Sequence, residues 1–218
     1  MQSMIWENKP YLEALADQME LVELVASGVR DEVVVFCSHP PVVTIGRSVQ
    51  PGDITTWVGE TVEVSRGGRA TYHGPNQVVI YPIIDLKKSH RENLPPKDVH
   101  QYLRLLENVV VESLAKIGVQ SQVRVDQQLD SNGRKLNLTG VWVGGKKIAS
   151  IGIAVKKWIT YHGIAVNLYS DRNAFQGIQP CGLNPNDMTS VEEVLHQKID
   201  RHSFEQTILS CLSQKLYQ

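Results

Sequence analysis

The sequence predicts a single α+β domain over residues 1–218, with hairpin-forming strands clustered in the middle of the chain and helices near both ends. Three observations lead there. Apolar residues recur every three or four positions over residues 11–27, from Lys97 to Ile117 and again from about residue 203, the spacing of one helical face. Between these segments lie short β-branched runs bounded by Gly, Pro and Asn, the composition of strands and turns. The chain is 42% hydrophobic and 21% charged over 218 residues, apolar enough to bury a sizeable core and too weakly charged to stay disordered.

In chain order, the first helix places Leu12, Leu15, Met19, Leu21, Val22 and Val25 on one side and ends near Gly28. EVVVFC, residues 32–37, reads as a buried strand. Pro40 and Pro41 then force an extended turn, because a residue before proline is pushed out of the helical region. VVTIGR (42–47) is a second short strand, and residues 61–65 and 78–84 are strands flanking a glycine-rich loop. Residues 87–96 are polar, with two prolines, and lead into the longest helix, whose face carries Val99, Leu103, Leu106, Val110, Leu114 and Ile117 and whose cap is Gly118. Residues 119–125 alternate like a strand, and 127–137 form a polar excursion with an Asn-Gly turn. Three more strands follow at 141–143, 147–155 and 160–167, the first two joined at Gly144-Gly145. Ser190 opens a short helix through a Ser-x-x-Glu box to Glu193, and Phe204, Ile208, Cys211 and Leu212 line the last helix.

Net charge is −1, which points away from nucleic acid or an anionic membrane as a partner of the whole chain. Three cysteines without a CxxC spacing, Cys37, Cys181 and Cys211, point to a reducing compartment rather than a disulfide framework or structural zinc. The first residues lack a basic-then-apolar leader and no apolar run reaches membrane-spanning length, so a cytoplasmic protein is expected. GxxxxGK[ST], strand-GxGxxG-helix and GxSxG patterns are all absent, as are HxH and HExxH; a metal site is not expected.

Three constellations carry chemistry. SRGGRATYHGPNQ (65–77) holds three glycines, two arginines and a histidine between two strands, a loop whose backbone could approach a ligand closely beside fixed positive charge; an ordinary hairpin is the alternative. Cys181 lies in a Gln-Pro-Cys-Gly turn rather than in an apolar run like Cys37 and Cys211, which allows either an exposed nucleophile or a structural thiol. Lys147 leads into the apolar strand KIASIGI, where it could be drawn out of water to act as a base, whereas Lys146 reads as a solvated hairpin lysine. His73 and His162 each sit in a Tyr-His-Gly context and are candidates to converge on one pocket.

Taken together, HPPVVTIGR (39–47), RGGRATYHGPNQ (66–77), TGVWVGGKKIASIGI (139–153), HGIAVNL (162–168) and PCGL (180–183) resemble, in order, the motifs of the lipoyl(octanoyl) transferases, octanoyl-acyl carrier protein:protein N-octanoyltransferases. That resemblance implies the fold of biotin- and lipoate-protein ligases, related to class II aminoacyl-tRNA synthetases: a central mixed or antiparallel sheet flanked by helices. It implies Cys181 as the acyl-thioester nucleophile and Lys147, not Lys146, as its assisting lysine. Substrate contacts are implied at Arg66, Gly67, Gly68, Arg69, Ala70, Thr71, Tyr72 and His73, at Ser150, Ile151 and Gly152, and at Gly163, Ile164 and Ala165. The implied donor is octanoyl-acyl carrier protein, with no cofactor beyond its phosphopantetheine arm. The implied acceptors are lipoyl domains of 2-oxoacid dehydrogenase complexes and the glycine cleavage H protein. An ATP-dependent lipoate- or biotin-protein ligase is the alternative on the same fold. Ile151, Ile153, Ala165 and a Gly67-Gly68 floor are expected to wall an acyl tunnel, with backbone N–H groups of the glycine-rich stretches facing the oxyanion. Two features depart from the family's pattern. Asn76 stands where glycine is usual; asparagine is the residue that best tolerates the left-handed conformation after glycine, so the loop shape is expected to survive. The excursion at 127–137 is also longer than usual.

Overall fold

Val33, Val34, Val35, Phe36 and Cys37 are all buried, which requires a strand covered on both faces. In the computed structural model, which describes residues 1–124, 133 and 139–217, this strand lies inside a six-stranded mixed sheet. The elements in chain order are β1 (Gln2–Trp6), α1 (Tyr11–Ala26), β2 (Val33–Cys37), β3 (Val42–Ile45), β4 (Glu60–Glu63), β5 (Ala70–His73), β6 (Gln77–Ile83), α2 (Val99–Lys116), β7 (Gly140–Val143), β8 (Lys146–Lys156), β9 (Ile159–Asn167), α3 (Val191–Leu195) and α4 (Arg201–Tyr217). The main sheet runs β1-β2-β6-β9-β8-β7, and β3 forms a smaller sheet between β4 and β5. Pairing is parallel between β1 and β2 and between β3 and β4, and antiparallel elsewhere.

Alternation along each strand divides the core in two. On one face Val33, Val35 and Cys37 of β2 and Val79 and Tyr81 of β6 pack under α1, against Ala14, Leu21 and Val22. On the other, Val34, Phe36, Ile80 and Ile164 pack against Leu106, Val109 and Val110 of α2 and Phe204 and Ile208 of α4. Helix ends follow the local chemistry. The Asp98 side chain accepts from the Gln101 N–H at the start of α2, and Ser190 accepts from the Glu193 N–H at the start of α3. The Glu193 carboxylate accepts from the Ser170 and Thr189 hydroxyls.

The structure differs from the sequence pattern at four points. Residues 65–77 are not all loop: Ala70–His73 is a fully buried strand, β5, paired with β3, because Ala-Thr-Tyr-His carries β-branched and aromatic residues that suit a covered pleat. Residues 119–124 make only an isolated bridge, Gln122 to Trp142, and the rest of that run and of the 127–137 excursion, apart from Gly133, falls outside the described residues. Asn76 is not among the residues with positive φ; its carbonyl accepts from the Leu168 and Tyr169 N–H groups, so the position needs no left-handed residue. Strand β1 was not anticipated. Its sequence QSMIW has no clean alternation and it lies exposed at the sheet edge.

Candidate active site

Cys181 sits in a 3-10 turn, Pro180–Gly182, with φ +55° and ψ +23°, the left-handed region that few non-glycine residues occupy. The turn is closed by Gly182 N–H to Gln179 O (3.0 Å) and Leu183 N–H to Pro180 O (3.0 Å). Its approach is pinned from below. Gln179 N–H donates to Asp53 O (2.8 Å), and Thr55 and Thr56 donate to Gly177 O. Asp53 in turn accepts from Arg69 Nε at 3.0 and 2.9 Å and pairs with Arg69 Nη2, both side chains being buried. The strained cysteine therefore rests on an ion pair, and the thiol is only partly covered.

A cavity of about 200 Å³ opens beside this thiol. Of the residues singled out in the sequence, Arg66, Gly67, Gly68, Thr71, His73, Ser150, Ile151, Gly152, Ile153, His162, Gly163, Ile164, Ala165 and Cys181 line it. Topology brings them together: Gly152 faces Gly163 across β8 and β9, Ser150 faces Ala165, and Gly67 N–H donates to Ile153 O at 3.2 Å. That last bond removes Gly67 from the expected oxyanion donors. A Cβ at Gly152 would lie 3.2 Å from Gly67 O, so the glycine lets the 66–68 loop lie on the strand.

Arg69, Ala70, Tyr72 and Lys147 do not line the cavity. Arg69 is held by Asp53, while Ala70 and Tyr72 point into a separate core with Val43, Phe175 and Met188. Lys147 is 0% exposed, lies opposite Trp142 with Nζ 5.1 Å from its ring centroid, and has no hydrogen-bond partner on Nζ. Lys146 is exposed.

Part of the wall is built of polar groups that carry no charge near pH 7. Tyr11 OH meets His162 Nδ1 at 3.2 Å, Tyr81 OH meets His39 Nε2 at 2.7 Å, and His39 Nδ1 meets Lys9 O at 2.7 Å. Burial pushes His39 down to about 4 and His162 down to about 3, and pushes Tyr11 up to about 12, so these groups stay neutral near pH 7. Arg66 is the buried charge of the cavity, and the exposed Arg47 also lines it. Arg66 Nη1 donates to Gly67 O and Arg69 O and its Nη2 to Thr44 O and Oγ1. Burial draws its pKa down, against Tyr11, Cys181 and Tyr81.

A family model described as the lipoyl protein ligase A/B catalytic domain matches residues 10–213. The chain belongs to this family. An octanoyltransferase of Bdellovibrio bacteriovorus is 42% identical over 204 residues, 93% of each chain. One of Caldanaerobacter subterraneus is 38% identical over 208 residues, 88% of this chain and 84% of the relative. Among solved structures, a lipoate-protein ligase A bound with ATP superposes with a TM-score of 0.66 at 16% identity, covering 99% of this chain and 85% of that one. Biotin protein ligase from Aquifex aeolicus, in complex with biotin and ATP, gives 0.56 at 16%, covering 98% and 69%. At such identities the structures speak for the fold, and the fold is the ligase-like one expected from the motifs.

In this lipoyl ligase-family chain, sequence reasoning missed Tyr11, Arg47, Val79, Tyr81, Val99, Leu103 and Thr139 as cavity residues and His39 as a partner of Tyr81. Tyr11 is the first residue of α1 and Tyr81 lies in an apolar strand, so neither carries a local signal. His39 opens the motif HPPVVTIGR, where the two prolines signal a turn and nothing local signals a partner. Among the described residues no group of three or more His, Cys, Asp or Glu is arranged to hold a metal ion, and no helix is long and apolar enough to cross a membrane.

Proposed function

We propose that this chain is an acyltransferase that moves an octanoyl group from octanoyl-acyl carrier protein to a lysine ε-amine of lipoyl domains, through a thioester on Cys181. The observation that carries the reading is the convergence of Cys181, the 66–68 loop and the Gly152 and Gly163 strands on one cavity. Its size supports the substrate: an apolar cavity of about 150 Å³ holds the six carbons of benzene, so about 200 Å³ accommodates about eight at the same density. Octanoyltransferase relatives at about 40% identity support it independently.

In the first half-reaction Lys147 takes the Cys181 proton, the thiolate attacks the donor carbonyl, and the tetrahedral intermediate expels the phosphopantetheine thiolate, which leaves with that proton. One thioester replaces another at little cost. In the second, the acceptor amine attacks octanoyl-Cys181, Lys147 receives the ammonium proton and returns it to the departing Cys181 thiolate. Amide formation from a thioester runs downhill, so the donor arm is the only carrier required. Uncharged Tyr11, His162 and His39 add no cation to Arg66 and Arg47, while Ile151, Ile153 and Ala165 hold the chain. The acceptors are lipoyl domains of 2-oxoacid dehydrogenase complexes and the glycine cleavage H protein, and the reaction runs in the cytoplasm.

Intact-protein mass spectrometry after mixing with octanoyl-acyl carrier protein, without acceptor or ATP, tests the reading. A hydroxylamine-labile octanoyl adduct is expected on wild type and not on Cys181→Ala. An adduct on neither, with octanoylation of a lipoyl domain only when ATP and free octanoate are supplied, would replace the transferase by a ligase.

A further inference from the structure

Glu107 is a carboxylate in the wrong place for an ordinary helix residue. It lies on the face of α2 that otherwise buries Leu106, Val109 and Val110, and its side chain is 1% exposed. A buried carboxylate is retained only with partners. Oε2 accepts from Arg104 Nη1 at 2.5 Å, and Oε1 accepts from the Gly140 N–H at 3.1 Å, at the first residue of β7. Gly140 is the link to the site. A Cβ there would lie 2.6 Å from Lys147 Cε and 3.3 Å from Lys147 Nζ, so the bare Cα of this glycine is the surface on which the lysine's end rests. Glu107 grips that glycine from one side and Lys147 leans on it from the other.

Lys147 has no hydrogen-bond partner on Nζ and no access to solvent. Each time it accepts a proton it becomes a buried ammonium, an expensive species unless an anion lies near. We infer that Glu107 is that anion: a positioning residue that orients Lys147 through Gly140 and offsets the ammonium formed in each half-reaction. This rests on the proposed role of Lys147 as the proton carrier. Burial raises the Glu107 carboxyl above its ordinary range, while the Gly140 N–H, Arg104 and Lys147 pull it back, so the charge of Lys147 reaches it.

Glu107→Gln keeps the shape and the acceptor for Gly140 N–H and removes the charge; the Arg104 bond is lost with it, but that guanidinium is exposed and can turn to water. Two readouts are needed: kcat and KM for transfer from octanoyl-acyl carrier protein to a lipoyl domain, and the rate of Cys181 alkylation by iodoacetamide, which does not require turnover. The expected result is a fall of about tenfold in kcat and in alkylation with KM changed less than about twofold, and no further fall in alkylation when the same change is made in Lys147→Met. Wild-type kcat in Glu107→Gln, or an equal loss with and without Lys147, overturns the inference and leaves the role of Lys147 standing. Full activity of Lys147→Met alone removes the role of Lys147 and the inference with it. If Glu107→Gln does not fold, Glu107→Asp, which draws the charge back by one methylene, serves the same comparison: its loss must also vanish in Lys147→Met.

Discussion

Arg69→Met removes the cation from a carboxylate that has no route to solvent. The Asp53 side chain is 0% exposed and that of Arg69 9%, and of the remaining partners of Asp53 one is the Gln50 N–H, 2.9 Å from Oδ2. Breaking a buried pair by deleting one partner costs about 3 to 5 kcal/mol, since a charge is left without compensation. For a chain of this size that lowers Tm by roughly 10 °C. The loss should also reach the cysteine turn, because the Asp53 carbonyl holds the Gln179 N–H. Thermal unfolding by circular dichroism and the rate of Cys181 octanoylation, measured together on Arg69→Met, are the assay. Arg69→Met/Asp53→Asn, which keeps an acceptor for Gln50 and leaves no lone charge, should recover more than half of the lost Tm. A Tm within about 2 °C of wild type for the single variant would refute the reasoning, because Asp53 and Arg69 would then be exchanging with water.

Gly67 lines the cavity without a positive φ, and a Cβ there meets nothing within 4 Å, so Gly67→Leu should fold with an unchanged Tm. Its side chain displaces about three methylenes of the substrate at about 0.8 kcal/mol each, so octanoyl transfer should fall roughly fiftyfold while butanoyl transfer is kept, as steady-state rates with the two donors would tell. Burial pushes the Cys37 thiol up to about 12; below pH 9 iodoacetamide should therefore modify Cys181 and leave Cys37 unmodified, read by peptide mass spectrometry. His39 falls from 6.5 to about 4 on burial. The unfolded chain binds its proton below pH 6.5 and the folded chain does not, so stability is unaffected above that pH and declines by about 3 kcal/mol towards pH 4. Urea unfolding of wild type and His39→Gln across pH 4 to 7 should give the shallower pH slope for the variant.

Helices α1, α2 and α4 were legible because amphipathic periodicity is a local property that any core must use. The strands β2, β6, β8 and β9 were legible as apolar, β-branched runs bounded by turn residues, Cys181 by its Pro-Cys-Gly turn, and the contrast between Lys146 and Lys147 by their successive places at the start of an apolar strand, whose residues alternate between faces. Strand β5 was hidden inside a glycine-rich run whose composition says loop. There the pairing with β3 outweighs the local preference. Arg69 looked like a second substrate cation beside Arg66; its partner Asp53 is 16 residues away, and no spacing rule connects the two.

By itself, then, the sequence determined most of the elements, the family motifs and the chemical types available: one cysteine in a turn, one lysine entering an apolar strand, and a glycine-rich stretch with two arginines. These depend on neighbours within a few residues. Only the tertiary structure decided which of them share a cavity, that Tyr11 and Tyr81 complete its wall, that Arg69 is held by Asp53 beneath the cysteine turn and outside the cavity lining, and that Glu107 reaches towards Lys147 through Gly140. Each of those contacts joins residues 16 to 151 positions apart, and burial, which sets the charge state of the histidines, exists only once the chain has closed around them.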